Sequence, residues 1–155
     1  MAHNPVNHPL RPMYRALGFL AGAYLVVFGI VGLIQTSGES FTGNTGVRVL
    51  GQQSNPLWSL VALVLGAVVV LTTAVGRNLD TQGDKFIGWA LLVCGSYELA
   101  TIRTDASFLG FSIATVVVTY LIGLILIMVS LYSKVAPATQ AGPARQVREG
   151  RTAAS

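Results

Sequence analysis

Charge is scarce in this chain. Only 10 % of its 155 residues are Asp, Glu, Lys or Arg, against roughly 25 % in an ordinary soluble domain. A chain this short that is also 52 % apolar cannot hide its apolar surface in one water-soluble core, because small domains leave a large share of their area in solvent. The composition excludes an ordinary soluble domain, a disordered chain and a nucleic-acid binder. It points to an integral membrane protein. Cysteine is nearly missing: Cys94 is alone, so the chain can form no internal disulfide and ligate no iron–sulfur cluster. Histidine is confined to His3 and His8, ahead of the first apolar stretch. That excludes a bis-histidine haem inside a membrane, and two histidines on a proline-rich tail make a poor metal site. The sequence shows no glycine-rich phosphate loop and no nucleophile–base pair. The chain is therefore expected to carry no cofactor and no metal, and to catalyse nothing by itself.

Four apolar stretches are present, at 16–34, 57–75, 86–102 and 111–132. Each is close to the roughly 20 residues a helix needs to cross a bilayer core. Three contain no charge, and the third contains Glu98. Arg11 and Arg15 precede the first stretch as they would in a signal peptide. The run is longer than a usual h-region, however, and Gln35-Thr36-Ser37-Gly38 offers no small-x-small cleavage site, so it reads as an uncleaved span. Lys and Arg are unevenly placed. One side holds Arg11, Arg15, Arg77, Lys85, Lys134, Arg145, Arg148 and Arg151, and the other holds Arg48 and Arg103. Positive residues stay inside, so both termini are expected in the cytoplasm and the protein in the plasma membrane.

The predicted fold is all-α: an integral membrane four-helix bundle over 16–132, made of two helical hairpins. An extended tail over 1–15, with Pro5, Pro9 and Pro12, and a polar tail over 133–155 flank it. Asn55-Pro56 predicts a helix start, with Asn as N-cap and Pro at the first helical position. Tyr14, Trp89 and Tyr132 are expected at the inner membrane interface and Trp58 at the outer one. A weak repeat relates Leu17-Gly18 to Ile87-Gly88, and Leu65-Gly66 to Ile122-Gly123.

Several helix faces carry candidate contacts. Gly18, Gly22, Gly29 and Gly32 share one side of the first helix, and Ser59, Ala62 and Gly66, with Thr73, share one side of the second. Small residues let lipid-embedded helices approach closely, either inside the bundle or against another subunit. Ser112, Thr115, Thr119, Gly123 and Ser130 form a stripe on the fourth helix. It reads as hydroxyl glue or as the lining of a path. Glu98 is the intramembrane carboxylate, with Arg103, Arg48 and the Ser112 and Thr115 hydroxyls as expected holders. A satisfied structural acid, a partner contact and a proton relay are all open readings. Cys94 reads as an apolar filler. Asp80 and Asp84, flanked by Arg77 and Lys85, read as a solvated turn with Asp84 near the cap of the third helix.

The segment Asn55-Pro56-Leu57-Trp58-Ser59-Leu60-Val61-Ala62-Leu63-Val64-Leu65-Gly66, with Val49-Leu50-Gly51 before it, resembles the Asn-Pro-Leu-His motif of the actinobacterial domain-of-unknown-function family 4383 of small four-span membrane proteins. That family carries histidines where this chain has Trp58 and Ala62, so no ligand role transfers. The resemblance implies fold and topology only. By type the chain is also similar to the redox-silent accessory subunits of a cytochrome bcc–cytochrome oxidase supercomplex. The expected function is a non-catalytic accessory subunit of a larger membrane complex, with other integral membrane subunits and the lipid bilayer as partners. A small transporter or channel component, using the stripe of helix four and Glu98, is the alternative.

Overall fold

Two caps set where the returning helices begin. Asn55 is extended and its side-chain oxygen accepts from Trp58 N at 2.8 Å, with Pro56 at the first helical position. Ser112 and Thr115 form a reciprocal capping box. In the computed structural model, which describes residues 7–136, the elements are α1 (Arg11–Gln35), β1 (Arg48–Val49), β2 (Gln52–Gln53), α2 (Pro56–Val75), α3 (Leu79–Thr101) and α4 (Ile113–Tyr132). His3, Pro5 and residues 137–155, including Arg145, Arg148 and Arg151, lie outside the described residues.

The chain is mostly helical. The helices α1, α2 and α4 are long and apolar enough to cross a membrane. The expectation of four such helices is thus met for three. The helix α3 is equally long but includes Asp80, Asp84, Lys85 and Glu98. The expected extended tail over 1–15 also needs correction, because α1 is already helical from Arg11. Pro12 falls in the first turn, where its missing N–H has no intrahelical carbonyl to lose.

The helices pair as two hairpins, α1 with α2 and α3 with α4, which join more sparsely along α2–α3 and α1–α4. Each hairpin closes on a pair of glycines. A Cβ on Gly66 would lie 2.6 Å from Val26 N and 2.7 Å from Gly22 O. In the second hairpin, a Cβ on Gly88 would lie 2.8 Å from Gly123 O, and one on Gly123 would lie 2.9 Å from Gly88 O. Only hydrogen fits at these crossings, which is how apolar helices gain contact without a hydrophobic drive. The repeat therefore matches Gly88 with Gly22 rather than with Gly18.

The end opposite the chain termini, here the loop end, is covered by the 36–55 connection. Its β1–β2 ribbon pairs Arg48 with Gln53 and Val49 with Gln52. Asn55 Nδ2 donates to Gly43 O and Phe108 O, each at 2.9 Å, and Gly43 N donates to Phe108 O at 2.7 Å. The two long loops are thereby stitched together. Gly110 faces the Gly43 carbonyl at φ +62°, a conformation and a clearance that both require glycine. Trp58 is buried beneath this cover, its ring 4.6 Å from that of Phe111. At the termini end Asn7 N donates to Lys134 O at 3.0 Å and Arg11 Nε to Ser133 O at 2.9 Å. Tyr14 stacks on Tyr132 at 5.0 Å with His8 edge-on to both.

Candidate functional site

One face of α3 carries Asp80, Asp84, Ile87, Gly88, Leu91, Gly95 and Glu98, all buried. Their spacing of three and four residues stacks them on one side of a helix. That side meets the other three helices, so two acids, Asp84 near one end and Glu98 near the other, are enclosed completely.

Glu98 is satisfied. Its Oε2 accepts from Ser107 Oγ at 2.7 Å and its Oε1 from Leu109 N at 3.0 Å. The expected holders are not the ones used: Arg103, Arg48, Ser112 and Thr115 give way to the loop that follows α3. That loop turns back over the helix end and aims a backbone N–H and a hydroxyl at the carboxylate. Such charge-assisted bonds are about twice as strong as neutral ones.

Asp84 is the opposite case. Both of its oxygens are buried without a hydrogen-bond partner among the described residues. Its neighbour Asp80, one turn earlier, receives Thr81 N at 2.9 Å and lies 3.4 Å from Arg15 Nε and 3.9 Å from Arg11 Nη2. The Arg15 guanidinium also donates to the Thr73 carbonyl. Asp84 precedes the apolar stretch 86–102. Burial, and secondarily the charge of Asp80, push its carboxyl up to about 7. Reading this pair as a solvated turn is thus corrected: α3 starts at Leu79, which carries both acids into the bundle. The signal in the sequence was their register with Ile87, Leu91 and Glu98.

The small faces lie between α1 and α2. A Cβ on Gly22 would meet Val69 Cγ1 at 2.7 Å, one on Gly29 would meet Leu63 N at 2.6 Å, and Gly32 faces Ser59. Ala62 and Gly66 are buried in the same seam. Gly18 differs, since it opens toward Asp84, Thr73 and Val129. On α4, Ser112 and Thr115 are engaged in the cap, Thr115 Oγ1 also donates to Gln53 O at 2.9 Å, and Ser130 Oγ donates to Ile127 O at 2.6 Å. Thr119 is buried near Gly95. These hydroxyls brace the fold at their own levels. Cys94 is a free, half-buried thiol.

The outward side of α3 carries a feature the sequence did not suggest. A cleft of about 580 Å³ between α3 and α4 is lined by Trp89, Leu92, Val93, Ser96, Tyr97 and Tyr120. Ser96 Oγ and Tyr120 Oη are hydrogen-bonded across it at 2.9 Å. No known protein family matches the chain, and no characterised protein or solved structure matches it.

Proposed function

We propose that this protein is a non-catalytic accessory subunit of a larger membrane complex, held there through the α3–α4 cleft. The proposal includes a plasma-membrane location, four spans, and both termini in the cytoplasm. The observation that carries it is the cleft itself: an open, aromatic-lined surface on the outward side of α3, where Trp89, Val93 and Tyr97 are exposed. Large grooves with rigid aromatic walls suit a partner's anchoring side chain. The fourth span is supported by how α3 distributes its charge. Within the stretch 86–102, Glu98 faces inward, while Phe86, Trp89, Val93 and Tyr97 face outward. The lysine and arginine asymmetry supports the orientation. A respiratory electron-transport complex of the bcc–oxidase type is the assembly proposed, on the similarity of type alone.

The test is extraction in mild detergent and identification of the subunits that co-migrate. Val93→Trp, which fills the cleft from its exposed rim, should cut co-purification by about tenfold or more, equivalent to about 1.4 kcal/mol, and leave thermal unfolding of the isolated chain unchanged. Undiminished co-purification would remove the cleft from the interface. A reporter fused after Ser155 that became active outside the cell would refute the orientation.

A further inference from the structure

Seven buried side-chain nitrogen and oxygen atoms lack a hydrogen-bond partner among the described residues, and all lie at the termini end. Arg15 Nε and Asp80 Oδ2 face each other as an ion pair at 3.4 Å; the other five belong to Thr73, Thr81, Asp84 and Ser133. Native proteins leave few such atoms, and a cluster of them marks water, an ion or a proton. Asp84 is at the centre. A Cβ placed on Gly18 would lie 3.2 Å from Val129 Cγ1, 3.3 Å from Asp84 Oδ2 and 3.9 Å from Thr73 Oγ1. Residues of all four helices therefore converge there, and the missing side chain of Gly18 lets α1 come close to the carboxyl.

The surrounding charges do not neutralise it. From α1 come Arg11 and Arg15, and both reach Asp80. From α2 comes only the uncharged Thr73. On α3 are Asp80, a like charge, and Lys85, which is exposed. From α4 come Val129 and, just past its end, Ser133 and the exposed Lys134. Two acids thus face two arginines that both reach the same acid. A metal cation beside Arg11 and Arg15 would be repelled and would need several oxygen ligands. A proton needs one.

We propose that Asp84, beside the Thr73 hydroxyl, is a dead-end proton-binding site reached from the termini end of the bundle. Binding converts the carboxylate to the acid, with no other bond made or broken. Beyond it the interior is filled by Leu25, Val69, Leu91 and Leu126. The next buried polar groups are Thr119 and, nearer the loop end, Ser59, Glu98 and Thr115, none of them within a turn of Asp84 along its helix. A proton can bind and leave by one side but has no relay across.

The elevation of the carboxyl from 3.8 to about 7 places this event near neutral pH. A raised folded-state value means the folded chain keeps a proton that the unfolded chain has lost. The associated stability is complete below about pH 4, falls as pH rises from about 4 to about 7, and is absent above that. Across that window the folding equilibrium should weaken by up to about a thousandfold, at tenfold per unit.

The experiment uses the full chain in detergent. The wild-type unfolding midpoint should fall between about pH 5 and 7 and then level. Asp84→Asn should be flat over this range and more stable than wild type at alkaline pH. Infrared spectra of the wild type should show a protonated-carboxyl band at about pH 5, where ordinary aspartates are ionised. That band should vanish near neutrality, persist in Glu98→Gln and be missing in Asp84→Asn. The wild-type spectrum decides the matter even if the variant does not fold. The site is refuted if the band is missing at pH 5, or if Asp84→Asn keeps the wild-type pH dependence. It is equally refuted if sodium chloride, compared with choline chloride, restores stability at alkaline pH, since the ligand would then be a metal cation.

Discussion

Glu98 and Asp84 occupy the same buried face of one helix, about 21 Å apart at 1.5 Å per residue, and neither has any exposed surface. Among the described residues Glu98 has two donors and Asp84 has none. Among the described residues, the difference follows from what each end aims at its acid. At the loop end, the segments after α1 and α3 are long enough to fold back, and they supply Ser107 Oγ and Leu109 N to Glu98 and the β-ribbon to α4. At the termini end, α2 passes to α3 through Gly76, Arg77 and Asn78 alone, with φ of +67°, +56° and +67°. Among the described residues, no N–H of that turn reaches Asp84. The loop end is thus a finished structural cap, and the other end keeps unmet polar groups on which binding can act.

This comparison breaks if the two acids respond alike to removal. Glu98→Ala leaves a buried N–H and hydroxyl facing a void, and should cost about 4 kcal/mol from two charge-assisted bonds. Asp84→Ala removes no bond at all and should cost under about 2 kcal/mol, chiefly for the lost volume. Denaturation of both variants in the same detergent at neutral pH measures this. Equal losses would mean that Asp84 has partners of its own.

The glycines sharpen it at smaller scale. Gly32, near the loop end, faces Ser59, whose Oγ is bonded to Ser54 Oγ at 2.9 Å, and an added Cβ would lie 2.8 Å from Ser59 Cβ. Gly32→Ala should cost about 2 kcal/mol, the overpacking penalty less the gain in helix propensity. Gly18→Ala meets only side-chain atoms at 3.2 Å or more and should come out near zero. It should also crowd the Asp84 carboxyl and displace its titration. A Gly18→Ala variant less stable than Gly32→Ala would show the termini end to be the tighter of the two.

Much of this is legible in the sequence. Asn55-Pro56 announces its helix because the cap and the proline act locally, and the small faces of α1 and α2 announce their seam because helical spacing sets it. Glu98 is conspicuous because it interrupts an apolar run. Its holders were not legible, since Ser107 and Leu109 reach it through a loop whose path depends on Asn55, Gly43 and Gly110, three points far apart in sequence. The cover over Trp58 is not legible either, because the loop that supplies it has no periodicity to read. Asp80 and Asp84 were misplaced for another reason: flanking charges make a turn and a buried helix start look the same, and only their register with Leu91 separates the two.

The smallest effect belongs to Asp80. Its partners Arg11 and Arg15 are partly exposed, so the water that reaches them offsets most of the lost attraction, as at other exposed pairs. Asn at this position can still accept from Thr81 N. Asp80→Asn should therefore cost about 1 kcal/mol or less. Its sharper consequence falls on Asp84. The charge of Asp80 is the second cause of the elevated carboxyl, and removing it also frees Arg15 to approach. The infrared midpoint of Asp84 should accordingly drop from about 7 toward the ordinary carboxylate range without reaching it, because burial, the larger cause, persists. A midpoint that stays or rises in Asp80→Asn would mean that the charge of Asp80 does not act on Asp84 and that burial alone sets the elevation.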